Sequence, residues 1–239
     1  MRAESPTSAA LVAWGNAWLS GHVGLDEAAD QVERVAGPTV VGPLSLRGYL
    51  ADLRVNGLSE LRLALPSAGD PLGLSGPPPF NSAAVDAGEA VIAVLPDRRI
   101  GLVPAPDHRG SSYVGVSLSE YEAGPPRADL PSVAEAEREL ATAIHSATEA
   151  LSAVDGPAQG HPGRPAAAGG ELAPGYPARA HRVAALAARL SGILRLADDR
   201  GLTSAQIVTR AEALRDLDRA VRRALVAAHH AIFEPSTNS

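Results

Sequence analysis

The sequence contains no cysteine and no lysine. The first absence excludes disulfides, thiol nucleophiles and the common zinc sites built on thiolates. The second leaves arginine as the only strong cation and removes the residue that completes a phosphate-binding P-loop. Aromatic residues make up only 3% of the chain, so its cores must be built from Leu, Val, Ile and Ala, within an apolar fraction of 45%. No apolar run reaches the roughly 18 residues that would suggest a membrane span. The N-terminus carries Glu4 and lacks the basic segment and long apolar core of a Sec signal. These absences predict a cytoplasmic protein with no membrane contact.

What is present is 239 residues, enough for one or two domains, with charge placed unevenly. Residues 1–155 hold 20 acidic and 10 basic side chains, net −10, whereas residues 156–239 are net +4. The acidic part disfavours general nucleic-acid binding by the whole chain. The opposite signs suit attraction between the two parts, within one chain or across an oligomer.

The chain is organised around Leu61–Ala90. Leu61, Leu63 and Leu65 alternate as in a strand, and a Gly/Pro-rich loop over 66–81 follows. Proline fixes φ and lacks an N–H, and glycine permits positive φ, so this mixture continues neither a helix nor a central strand. Leu72, Leu74 and Phe80 are apolar anchors that predict an ordered loop folded onto the body. Asp70, Gly73 and Gly76 are its candidate pocket residues. Their spacing matches neither a P-loop nor a dinucleotide fingerprint.

Helices are expected over about 6–19, 25–35 and 46–55 from apolar residues at spacings of three and four. Leu11, Trp14 and Trp18 mark the first as core-facing. Strands are expected over 60–65, 89–95, 99–103 and 112–118, with Thr39–Val41 a short strand or a link. The alternation in the last predicts an antiparallel sheet covered on one side. Ala83–Ala87 reads as a brief helical turn. The result is an acidic α+β domain over 1–130.

Residues 131–239 read as a helical domain. Ser132 and Glu135 form a capping box before a helix with Leu140, Ile144, Ala147 and Leu151 on one seam. Residues 156–177 are Gly-, Pro- and Ala-rich and predict a flexible linker. Helices over 177–198 and from Thr203 to about 232 follow, joined by a short link that makes them antiparallel neighbours. The fold class is therefore α+β, a small antiparallel sheet with helices followed by a long-helix bundle or helical hairpin with coiled-coil-like seams. Alanine on the seams buries little area, so the helices need a partner or the first domain for stability.

Chemistry-bearing motifs are sparse. The seven histidines include no HExxH pair and the serines no GxSxG elbow. Asp107 and His108, read as part of a 104–111 loop, would with Asp70 supply an acid, a base or metal ligands if the two loops met. Asp86 and Glu89 would share a face only if their segment were helical. Arg215, Arg219 and Arg222 line one side of the last helix as a candidate partner-binding face. No catalytic residue, metal ligand or cofactor is assigned. The favoured reading is a non-enzymatic module for protein interaction or homo-oligomerisation. One alternative is a small-molecule-binding protein or enzyme using loops 66–81 and 104–111. The other is a nucleic-acid-associated protein using the basic last helix.

Overall fold

The computed structural model describes residues 6–109, 113–125, 130–154, 171–198 and 204–234. The chain begins with helices α1 (Thr7–Leu19) and α2 (Leu25–Ala36), then strands β1 (Thr39–Val41) and β2 (Leu44–Ser45) and helix α3 (Leu46–Val55). Strand β3 (Glu60–Ala64) leads through the Gly/Pro loop to α4 (Pro78–Ala87). Strands β4 (Ala90–Val94), β5 (Arg99–Arg109) and β6 (Tyr113–Glu122) complete one sheet. Helices α5 (Val133–Val154), α6 (Ala178–Asp198) and α7 (Ser204–His230) follow. The strand order is β2-β1-β6-β5-β4-β3, with β1 parallel to β6 and every other neighbour antiparallel.

Local chemistry sets most of these boundaries. Ser45 caps α3 by accepting from the Gly48 N–H at 3.3 Å. The Ser132–Glu135 capping box forms as the sequence predicts, with the Ser132 N–H donating to Glu135 Oε2 at 2.9 Å and the Glu135 N–H to Ser132 Oγ at 3.3 Å. The Glu135 carboxyl titrates below its usual range because these Ser132 groups bond its charged form. A distant residue caps α1: the Ser8 N–H donates to Glu89 Oε2 at 2.7 Å. Asp86 lies exposed on α4. The expected cap at Thr203 lies outside the described residues.

The sheet is covered on both faces at its centre, not on one. Ala90, Val91, Ile92 and Ala93 of β4 all have zero exposure. Such a continuous apolar run, unlike an alternating one, belongs to a strand buried on both sides. One face receives α1, and α7 packs along β3. The other face receives α4 and the loop, through Leu74, Phe80 and Ala84 against Ala64, Ile92 and Val103. Leu72, Leu74 and Phe80 are all buried, as their apolar character in the loop implies.

Three expected boundaries differ. Helix α4 starts at Pro78, inside the segment read as loop, because the first helical positions need no N–H partner and accept proline. Strand β5 runs on to Arg109, so the expected 104–111 loop is largely strand: Asp107 pairs with Gly115 and His108 with Val114. Pro104 and Pro106 are tolerated there because β4 pairs no further than Leu102, which leaves that side of β5 an edge. The 156–177 stretch is a linker by composition; 156–170 lies outside the described residues, and Leu172, Ala173 and Tyr176 are buried in the main core. That core is continuous from α1 and the sheet into α5, α6 and α7.

Phe80 fills a closed site in the smaller cluster, where a Cβ on Gly101 would lie 2.3 Å from its ring. Phe80→Ala is expected to cost about 3–5 kcal/mol in urea unfolding. A loss below about 1 kcal/mol would show that the loop and α4 do not close this face of the sheet.

Candidate functional site

Strand β3 ends the sheet, so alternate residues along it turn backbone N–H and C=O groups away from β4. An exposed strand edge recruits other chains unless it is covered. Here side chains take the place of a neighbouring strand. The Asn16 amide, on α1, meets Leu61 twice: Nδ2 donates to the Leu61 carbonyl and Oδ1 accepts from its N–H, both at 2.8 Å. His230 Nε2, at the end of α7, accepts from the Leu63 N–H at 3.0 Å. Arg222, two turns earlier on α7, donates from Nη1 to the Leu65 carbonyl at 2.8 Å. Gly15 lets α1 come this close, since a Cβ there would lie 2.3 Å from Leu61 Cδ1.

Arg222 also carries the loop. Its Nη2 donates to Asp70 Oδ2 at 2.9 Å and its Nε to Asp218 Oδ2 at 2.8 Å. The side chains of Arg222 and Asp70 are only 14% and 18% exposed. Arg219 adds a longer contact to the same Asp70 oxygen, 3.7 Å, and is far more exposed. Asp70 is held in place by a tight turn in which Ser67 and Asp70 exchange two backbone hydrogen bonds of 2.9 Å, with Gly69 at φ 79°. Gly73 passes against the Leu63 carbonyl, and Gly76 lies under the Phe80 ring.

The candidate residues therefore divide. Asp70, Arg219 and Arg222 come together, joining the acidic domain to the basic helix within one chain. Gly73 and Gly76 serve close packing of the loop. Arg215 donates to the Ala211 carbonyl of its own helix. Asp107 and His108 lie on β5, two strands from β3, and do not join Asp70. Among the described residues no group of three or more His, Asp or Glu is placed to hold a metal ion. The sequence reading missed Asn16 and His230. The only local signal for Asn16 is its place inside an apolar helix, where asparagine is a poor helix former.

The His229–His230 pair is uncharged in this setting. Burial, helped by Arg62 and His229, lowers His230 to about 3. Burial lowers His229 to about 4, against a bond to the Leu225 carbonyl 2.7 Å from Nδ1. Only a neutral imidazole can accept the Leu63 N–H, so the geometry and the lowered pKa require the same state. The Tyr176 hydroxyl donates to the His229 carbonyl at 3.0 Å and seats the entry to α6.

Away from the sheet the burial of the helices declines. Helices α5 and α6 both run antiparallel to α7, whose C-terminal half supplies the buried residues Leu217, Val221, Ala224 and Leu225. Farther out, Ile144, Leu151, Leu190, Leu194 and Leu214 are half-buried, and Leu186 and Ile193 are exposed. An open cleft of about 610 Å³ lies between α5 and α7, floored by Ala143, Ala147, Ala150 and Ala213. Arg138, Glu139 and Asp216 contribute charge around it, and Glu139 is held by Arg223 at 3.1 Å. No helix among the described residues is long and apolar enough to cross a membrane.

This architecture defines an α+β protein with a six-stranded sheet and C-terminal helices. Residues 8–133 match the family model for the N-terminal domain of Rv1486c-like protein, and residues 134–226 match that for its C-terminal domain. The chain belongs to the Rv1486c-like protein family. Comparisons with curated proteins and with solved structures give no match.

Removing Arg222 strands a carboxylate and a backbone carbonyl, so Arg222→Leu should cost about 1.5–3 kcal/mol in chemical denaturation. An unchanged midpoint would mean that α7 does not hold the loop. The histidines predict a pH dependence of definite sign. Their folded pKa values lie below the usual ~6.5, so the unfolded chain binds more protons as pH falls from there. Their contribution is complete above pH ~6.5 and declines toward pH about 4 for His229 and about 3 for His230, with a limiting slope of about 1.4 kcal/mol per pH unit for each ring. His230→Gln keeps an acceptor without the titration, and should flatten the measured stability–pH curve across that window. An equally steep curve would exclude His230 as a source of the slope.

Proposed function

We propose that this chain is a non-enzymatic protein-interaction module and that its distal helical half is the docking surface. The observation that carries this reading is the incomplete cover of large aliphatic side chains on α6, with Leu186 39% and Ile193 43% exposed, in a helical half that also holds an alanine-floored cleft between α5 and α7. Apolar side chains on a partner helix would gain most of their burial energy there, about 25 cal/mol per Å² removed from water. The Gly/Pro loop has a different part in this reading: with Asp70 it locks α7 to the sheet and holds the helices at a fixed angle to the body.

The alternatives are less well supported. A small-molecule site built from 66–81 and 104–111 would need Asp70 beside Asp107 and His108, which lie on β5 paired with β6. Phosphate recognition by α7 would use Arg215, Arg219 and Arg222, of which Arg219 and Arg222 already meet Asp70 and Arg215 bonds the Ala211 carbonyl of its own helix. Those contacts are a structural use of the three cations.

A photo-cross-linking residue at Ile193, introduced in the cells that make the protein, should give adducts of higher mass. The same residue at the exposed Val85 of α4 serves as the control and should give few. No adduct at Ile193, or equal yields at both positions, would overturn the docking assignment.

A further inference from the structure

We infer that the occupant of the α5/α7 cleft is helix α6 of a second copy of this chain. This rests on the interaction reading above and names its partner. Two features of the chain complement each other. On α6, Leu186, Arg189 and Ile193 lie at spacings of three and four and form one exposed ridge. From Ala178 to Arg195 that helix carries Arg179, Arg182, Arg189 and Arg195 and no carboxylate. The cleft wall carries Asp216 and Glu139, the latter held by Arg223, together with Arg138. Helix α5 as a whole is acidic, with Glu135, Glu137, Glu139 and Glu149 against Arg138 alone.

The shapes also agree. The ridge from Leu186 to Ile193 rises about 10 Å along its helix, and the cleft wall from Glu139 to Ala150 rises about 16 Å. Leu186 and Ile193 would sit on the alanine floor, where small side chains permit close helix approach. Arg189, exposed between them, would meet Asp216. The same attraction already operates inside one chain, where Arg179 pairs with Glu137 at 3.0 Å. A two-fold arrangement uses both clefts and both ridges, so it closes at a dimer.

Sedimentation equilibrium of the full chain tests this. Wild type should dimerise. Asp216→Arg and Arg189→Glu should each weaken dimerisation by at least about tenfold. Both positions are exposed, so circular dichroism of the monomers should be unchanged. An equimolar mixture of the two variants should recover association, because both cleft–ridge pairs of the mixed dimer then carry opposite charges, one native and one reversed. Ile193→Glu by itself should remain monomeric. A monomeric wild type, a dimer insensitive to these changes, or failure of the mixture to recover would overturn the self-association proposal. The Ile193 cross-linking separates that failure from failure of the wider reading: adducts to a different protein would reject only the second copy, and no adducts would reject both.

Discussion

The unpaired edge of β3 is the constraint on which the rest of the structure depends. Its outward backbone groups must be bonded, since each buried orphan costs about 1–3 kcal/mol. Another strand would satisfy them by repetition. This protein uses side chains drawn from both ends of the chain: Asn16 from α1, with Arg222 and His230 from α7. The first and last long helices are thereby fixed to the same strand. The cover also blocks the edge-to-edge pairing that an open strand invites. The segment matching the N-terminal family model contributes β3 and Asn16, and the segment matching the C-terminal one contributes Arg222. Their contact is part of the fold of each.

Arg222 links this edge to the Gly/Pro loop because one planar guanidinium serves three acceptors: Leu65, Asp70 and Asp218. A lysine could not match that geometry, since its ammonium is a compact point donor. The loop then crosses to the opposite face of the sheet, where Leu74 and Phe80 close the second core. A segment that composition alone would make mobile is tied at one end by charge and at the other by apolar burial. Asp70 contributes to architecture rather than to a shared site with Asp107 and His108.

The same economy of large residues that makes the helices pack closely also leaves them incompletely covered. Alanines at 136, 147, 184, 187, 220 and 224 bring α5, α6 and α7 near one another, and each buries little area. Near the sheet this shortage is offset by Leu140, Val183, Leu217 and Val221. Farther out the aliphatic residues are half-buried, and Leu186 and Ile193 are exposed. A partner docked there would supply the buried area that the chain's own distal helices do not.

Much of the architecture was legible in the residues. The helical periodicities, the Ser132–Glu135 box and the alternation around Leu61–Leu65 are local patterns, and local backbone geometry follows from them. The apolar loop residues also predicted their own burial, since Leu72, Leu74 and Phe80 have no favourable place in water. Arg219 and Arg222 could be placed on one side of a helix, but their shared partner could not be identified, because Asp70 lies about 150 positions away and no spacing rule links them. The extension of β5 through Pro104 and Pro106 depended on where β4 stopped, which neither strand encodes alone. Asn16 and His230 look unremarkable within their helices; the edge of β3 gives them their roles. The sequence by itself determined which segments coil, extend or turn, because those choices rest on neighbours within a few residues. The tertiary structure alone decided which polar side chains complete the sheet and which apolar ones remain uncovered, because both depend on what another part of the chain places opposite them.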